Sequence, residues 1–218
     1  RYSEVPTDPK LVTAHKIMRA KLIGFTRPLN DVLRAYPETD ISVPARYARA
    51  IAWYRQPELM RAIKLIDGLI AEQPNNPYFW ELKGQMLLES GRIGESLPAY
   101  RKAVGLAPGE PLLEMELAKA QIETNDPALT DPARVHLESA VQGEPGLGEA
   151  WRLLTVAYSR LGKSGEMALA QAEYSMILGE RSQAKALAER AANILPHGSP
   201  GWLRAQDIAA QIGSDKKS

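Results

Sequence analysis

The sequence contains no cysteine in 218 residues. Disulfides, thiol catalysis and cysteine-ligated zinc are therefore excluded. The compartment stays open, because cytosolic and periplasmic proteins can both lack cysteine. Long apolar runs are missing as well. The longest stretch free of Asp, Glu, Lys and Arg is the 13 residues from Ala191 to Leu203, which hold two prolines, two glycines and a histidine. A membrane-spanning helix needs about 20 apolar residues, so no span is expected. Nor is there an excess of charge: 27 Lys and Arg face 26 Asp and Glu, for a net charge of +1. Such a balance creates no strong field toward nucleic acid or acidic lipid, and the tail Lys216-Lys217 is too short to change that. The opening Arg1-Tyr2-Ser3 is neither a start methionine nor a signal peptide. The chain is expected to be a piece of a longer one, with any targeting signal upstream.

Catalytic chemistry is equally thin. The three histidines, His15, His136 and His197, lie far apart in sequence and form no H-E-x-x-H, whereas a zinc site needs several ligands at set spacing. His15 and His136 fit helix faces, and His197 a Pro-Gly turn. "GRIG", "GLAPG" and "GLGE" supply glycines but no phosphate-binding loop. The carboxylates Glu89, Glu95, Glu114 and Glu116 read as solvated helix faces. No catalytic, cofactor-binding or metal-binding residue is expected, and no cofactor.

What is present is a period. Hydrophobic residues make up 44% and charged residues 24%, an ordinary globular composition. Pro74 and Pro108 each end a helical pattern and lie 34 residues apart, as do Trp53 and Leu87. Ala62 and Ser96 stand 12 residues before those prolines. In "NPYFWELKGQMLLESGRIGESLPAYRKAVGLAPGEP" the positions Trp80, Gly84, Leu87, Gly91, Ser96, Tyr100, Ala103 and Pro108 resemble one nearly complete tetratricopeptide repeat, a helix–turn–helix unit with that period. Packing explains the residue types. Trp80, Gly84 and Leu87 share one narrow helix face, and Gly84 lets the partner helix come close. Gly91 suits the left-handed end of a first helix. Ser96 and Ala103 are small, Tyr100 fills the gap left between the helices, and Pro108 stops the second helix.

The same pattern, more loosely kept, extends both ways. Pro44 to Gln56 and Pro57 to Gln73 read as a helix pair, with Pro57 at a tolerated N-terminal position. Glu110 to Thr124 and Pro132 to Val141 read as the next pair, with the extra residues in the turn-rich loop Asn125 to Pro132. Pro196 follows Pro145 by 51 residues, one repeat and a half. Trp151 to Leu161, Glu166 to Leu178 and Arg181 to Leu195 therefore read as three helices, and Ser199 to Ile212 as a solvent-facing cap. The N-terminal residues fit no repeat. Pro9 to Phe25 carries Leu11, His15, Met18 and Leu22 at helical spacing, and Leu29 to Tyr36 suits a short helix. No strand alternation is seen. The expected fold is all-α, a right-handed tetratricopeptide-repeat α-solenoid of antiparallel helix pairs. Residues 1–43 would form a helical cap or connector, and residues 44–218 the solenoid with its C-terminal capping helix.

First helices of such repeats line the concave side of a solenoid. On the Trp80 helix the stripe Tyr78, Glu81, Gln85 and Leu88 points away from the core stripe. The matching positions one repeat earlier are Pro44, Tyr47, Ile51 and Tyr54, with Arg55 beside them. One repeat later they are Leu112, Met115, Lys119 and Ile122. Aromatic and apolar groups mixed with single charges suit a peptide or protein partner. The candidate partner-binding residues are Tyr47, Ile51, Tyr54, Arg55, Tyr78, Glu81, Gln85, Leu88 and Lys119. The competing reading is that Tyr47 and Tyr54 only cover neighbouring helices.

A wider resemblance rests on the phrases "YSEVPTDPKLVTAHKIMRAKLIGF", "PARYARAIAWYR", "NPYFWELKGQMLLESGR" and "LPHGSPGWLRAQDI". Together they resemble the C-terminal half of BepA-like bacterial zinc metalloproteases, and the likeness covers nearly the whole chain. Members of that family are periplasmic, with an N-terminal H-E-x-x-H peptidase domain followed by tetratricopeptide repeats. None of its metal ligands or its catalytic glutamate has a counterpart here. The resemblance implies a periplasmic location and a non-catalytic recognition module that engages substrates or outer-membrane assembly proteins. A stand-alone scaffold or adaptor without a linked enzyme is the alternative. Nothing in the sequence speaks to oligomeric state.

Overall fold

The computed structural model describes residues 9–56 and 58–214. Arg1-Tyr2-Ser3, Pro57, Lys216-Lys217 and the Leu11 side chain lie outside the described residues. Among those residues every regular element is helical: α1 (Pro9–Thr26), α2 (Leu29–Ala35), α3 (Val43–Tyr54), α4 (Leu59–Glu72), α5 (Pro77–Glu89), α6 (Ile93–Leu106), α7 (Pro111–Glu123), α8 (Thr130–Gly143), α9 (Gly148–Arg160), α10 (Ser164–Ile177), α11 (Arg181–Ile194) and α12 (Pro200–Ser214). Proline sits in the first turn of α3, α5 and α7, where its missing N–H has no intrahelical partner to lose. Side chains cap two of these starts. Ser42 Oγ accepts from the Ala45 N–H at 3.4 Å, and Asn76 Oδ1 from the Tyr78 N–H at 3.1 Å.

Contacts gather the chain into two compact units, Arg1–Leu106 and Ala107–Ser218. Within each, consecutive helices pack in hairpins, the all-α arrangement of stacked tetratricopeptide-type helix pairs. In the first unit Gly84 does what its spacing implies. A Cβ placed there would stand 2.9 Å from the ring atoms of Tyr100, which is fully buried. The core of this unit joins Tyr47, Ile51, Ile66, Leu69, Phe79, Leu82 and Met86, with the Tyr47 and Phe79 rings 5.3 Å apart. Trp80, expected in the core stripe, is only partly buried. Its indole N–H donates to the Pro74 carbonyl at 2.9 Å, so it fastens the helix to the preceding turn. Trp151 repeats that bond to Pro145 at 2.9 Å.

The N-terminal helix does not pack through the residues that mark its helical spacing. Met18 and Leu22 are 67% and 62% exposed, and His15 is exposed. The buried face is Ala20 and Gly24. A Cβ on Gly24 would meet Ile51 Cβ at 2.9 Å and the Ala48 carbonyl at 3.0 Å. Across the division drawn at Pro44, α1 and α2 therefore pack directly on α3.

In the second unit the loop expected from Asn125 to Pro132 is shorter. It holds a 3-10 turn at Pro127–Leu129, and α8 begins at Thr130. The three-helix reading before Pro196 holds: α10 packs along both α9 and α11. Both of its turns use the bonding seen after α5. In each, a backbone N–H reaches back five residues, Arg92 to Leu87, Lys163 to Tyr158 and Glu180 to Ser175, each at 2.9 Å. The preceding glycines, such as Gly91 at φ 75°, take the left-handed conformation that this helix end needs. Ala184, Ala188 and Ala191 are fully buried on α11, and α12 covers it with Ala205, Ile208 and Ile212.

Candidate protein-binding surface

The expected partner-facing stripe divides into buried and accessible residues. Tyr47 and Ile51 are wholly buried, and Leu88 is 5% exposed. These three are core residues, unavailable to a partner. For Tyr47 and Ile51 the reason is α1, which lies along α3 by way of Gly24 and packs Ile17 and Phe25 on the cluster that holds them. Beside it, Lys21 Nζ of α1 reaches Glu81 Oε2 of α5 at 3.3 Å. Met115 and Ile122 are likewise buried, whereas Leu112 is exposed.

Six candidates keep some exposure. Tyr54, Glu81, Gln85 and Lys119 are partly buried, and Arg55 and Tyr78 are exposed. Tyr54 donates its hydroxyl to Glu89, and Gln85 Nε2 donates to the same carboxylate at 2.8 Å. Burial, and then the Glu89 carboxylate, raises the Tyr54 hydroxyl well above its ordinary pKa. Glu89 is exposed, as expected, and also accepts from Tyr54 of α3; its spacing of four from Gln85 signals only the bond within α5. Arg55 is taken up locally: its Nη1 donates to the carbonyls of Gly24 at 3.2 Å and Arg27 at 2.8 Å. A cation there satisfies the free carbonyls at the end of α1 and suits its dipole. Glu81 has its pKa raised, first by burial, with Lys21 pulling the other way. Tyr78, at 48% exposure, makes no side-chain hydrogen bond among the described residues. In the second unit Lys119 lies within electrostatic reach of Glu149.

Of the residues expected to be solvated, Glu95 and His197 are exposed, whereas Glu114 proves to be structural. Glu114 is 6% exposed. It accepts from the Gly109 N–H at 3.1 Å and meets His136 Nδ1, so it anchors the turn that Trp80 and Trp151 anchor elsewhere. Glu95 pairs with Arg92. His197 stacks on Trp202 with centroids 4.1 Å apart. Among the described residues no three His, Cys, Asp or Glu side chains gather as metal ligands, and no helix is long and apolar enough to cross a membrane.

The surface that remains presents an exposed tyrosine, Tyr78, beside the partly buried polar groups of Tyr54, Glu81 and Gln85. The tetratricopeptide-repeat family profile matches residues 47–111. The chain is 26% identical over 155 residues to the Beta-barrel assembly-enhancing protease of Yersinia pestis, a match covering 71% of this chain and 31% of that protein. The chain thus spans about a third of the length of that relative. Among solved structures it resembles MamA 41-end from Desulfovibrio magneticus RS-1, at 14% identity and TM-score 0.56, over 87% of this chain and 97% of that one. It also resembles YrrB, described as a tetratricopeptide-repeat protein with an unusual peptide-binding site, at 16% identity and TM-score 0.59, over 80% of this chain and 90% of that one. These structural likenesses support the fold.

Proposed function

We propose that this chain is the protein-recognition region of a periplasmic zinc metalloprotease, engaging substrates or outer-membrane assembly proteins and carrying no catalytic group itself. The observation that carries the recognition role is Tyr78. It is a large aromatic side chain at half exposure, unused by the core, on a helix whose other faces are packed. Tyrosine offers wide contact area with a polar end and is a favoured anchor at interfaces. Tyr54, Arg55, Glu81, Gln85 and, in the second unit, Lys119 are its proposed companions. The likeness to the Beta-barrel assembly-enhancing protease supports the finer assignment to a protease, the periplasm and outer-membrane assembly. A stand-alone scaffold remains the second reading, favoured by the tetratricopeptide match, which needs no linked enzyme. This region binds no cofactor on either reading; one tightly bound zinc per purified chain would overturn that.

The test uses the full-length gene product in its own cells. A photo-crosslinking residue at position 78 should capture an outer-membrane assembly protein, while the same residue at exposed Arg101 should not. Equal capture at both positions would remove the proposed surface. The upstream coding sequence separates the two readings, because an H-E-x-x-H domain is required by the first and absent in the second.

A further inference from the structure

A cavity of about 290 Å³ opens in the first unit, lined by Glu38, Arg49, Trp53, Arg61, Lys64 and Leu65. None of these belongs to α5, so the cavity is independent of the Tyr78 surface. The charges here do not balance, with three cations and one carboxylate. Glu38 pairs with Arg61 Nη2 at 2.8 Å, and the Arg61 guanidinium lies 3.9 Å from the centre of the Trp53 ring. Arg61 is thus held in place from two sides. Arg49 is only 4% exposed. Its Nη1 donates to the carbonyls of Tyr36 at 3.2 Å, Pro37 at 2.5 Å and Asp40 at 2.9 Å. Those carbonyls shape the turn before α3, but they carry only partial charge. Among the described residues no carboxylate stands at ion-pair distance from Arg49 or Lys64. Burial accordingly holds the Arg49 guanidinium below its ordinary pKa, although Asp40 and Glu38 pull it upward. Buried charge is normally paired, because an uncompensated ion pays a large desolvation penalty.

We propose that this cavity binds carboxylate side chains of an acidic polypeptide segment. The cations supply the charge that such a group needs. Trp53 and Leu65 supply an apolar wall on which the methylenes of a glutamate can lie. Lys64, exposed, is the outer cation that a partner meets first. Glu38, whose side chain is 66% exposed, acts as an internal rival for the same cations.

The experiment follows backbone and indole N–H resonances of the 218-residue chain as hexaglutamate is added, with hexaglutamine and inorganic phosphate as parallel probes. Hexaglutamate is expected to give saturable shifts at the Trp53 indole and at residues 36–40 and 61–65, and hexaglutamine none. Lys64→Gln should weaken binding about twofold to fivefold, the scale of one exposed charge pair. Glu38→Gln should strengthen it by a similar factor. Both residues are exposed, so neither change threatens the fold. Shifts that Lys64→Gln leaves unaltered, or the absence of saturable shifts, overturn the proposal. Binding of phosphate without hexaglutamate overturns the peptide assignment and leaves a small-anion site.

Discussion

At the scale of single residues the molecule is governed by close approach. Gly84 is a position where one added carbon has nowhere to go, since Tyr100 is buried and its ring would stand 2.9 Å away. Gly84→Leu is therefore expected to cost about 1–3 kcal/mol or more, as overpacking does. The check is a urea melt beside Tyr78→Ala. Because Tyr78 is half exposed, that variant should stay close to the parent, and equal losses would contradict the packing described. Trp80→Ala should fall below the about 3–5 kcal/mol of a fully buried tryptophan, because its ring is partly exposed and its N–H faces a turn carbonyl. Glu81 gives a second prediction. Its folded pKa lies above the ordinary 4.5, so the folded state holds the proton more tightly than the unfolded one. The stabilisation from this group is then complete below pH 4.5 and is lost as pH rises through the folded value. Relative to Glu81→Gln, the wild type should lose stability between about pH 4 and pH 7. Urea midpoints of the two proteins at both pH values decide it, and a difference that runs the other way means that Lys21 outweighs burial.

At the scale of helices, arginines recur at the same kind of joint. Arg160, at the end of α9, donates to the Ile122 carbonyl at 2.8 Å and to Asn125 Oδ1 at 2.9 Å. Asn125 takes the left-handed conformation at the end of α7, with φ 56°. Arg55 does the same at the end of α1. Arg160→Ala should cost about 0.3–1 kcal/mol, the usual worth of a cation at a helix C-terminus. The sharper readout is faster amide exchange at Thr124 and Asn125, with α11 unchanged; uniform change would mean that the arginine acts globally. Helix identity is largely legible from the 34-residue period and from proline and glycine positions, because those residues act through their own backbone. Helix faces are less legible. On α1 the apolar stripe Met18 and Leu22 is the outer one, since what decides burial is the groove that α3 offers, and that groove accepts the small residues Ala20 and Gly24. Likewise Ile51 reads as accessible in sequence but lies under α1, and Tyr47 follows its competing reading, packing against neighbouring helices. Lys21 and Glu81, 60 residues apart, leave no local sign of their meeting.

At the scale of the whole molecule, each of the two units holds buried clusters of its own. Tyr47, Ile66, Phe79 and Met86 belong to one cluster and Ala20, Val32, Ala48 and Ala52 to another, all in the first unit. Leu137, Leu153 and Leu154 anchor a cluster in the second, as do Ala184, Ala188 and Ile208, and Ala168, Ala191 and Ala205. In repeat proteins stability is close to a sum of each repeat and its nearest neighbours, so a unit with its own core and closing helix should stand alone. The second unit has both: its pairs α7–α8, α9–α10 and α10–α11 pack continuously, and α12 ends it. Arg204 of α12 holds Glu173 of α10 through two bonds of 2.5 and 2.9 Å. Residues 107–218 produced alone should therefore give a helical circular dichroism spectrum and a single cooperative urea transition. Arg204→Ala in that fragment should lower the midpoint, because it leaves the buried Glu173 carboxylate without its cation. A fragment that is unfolded at room temperature, or that melts without cooperativity, would show that the second core does not suffice by itself.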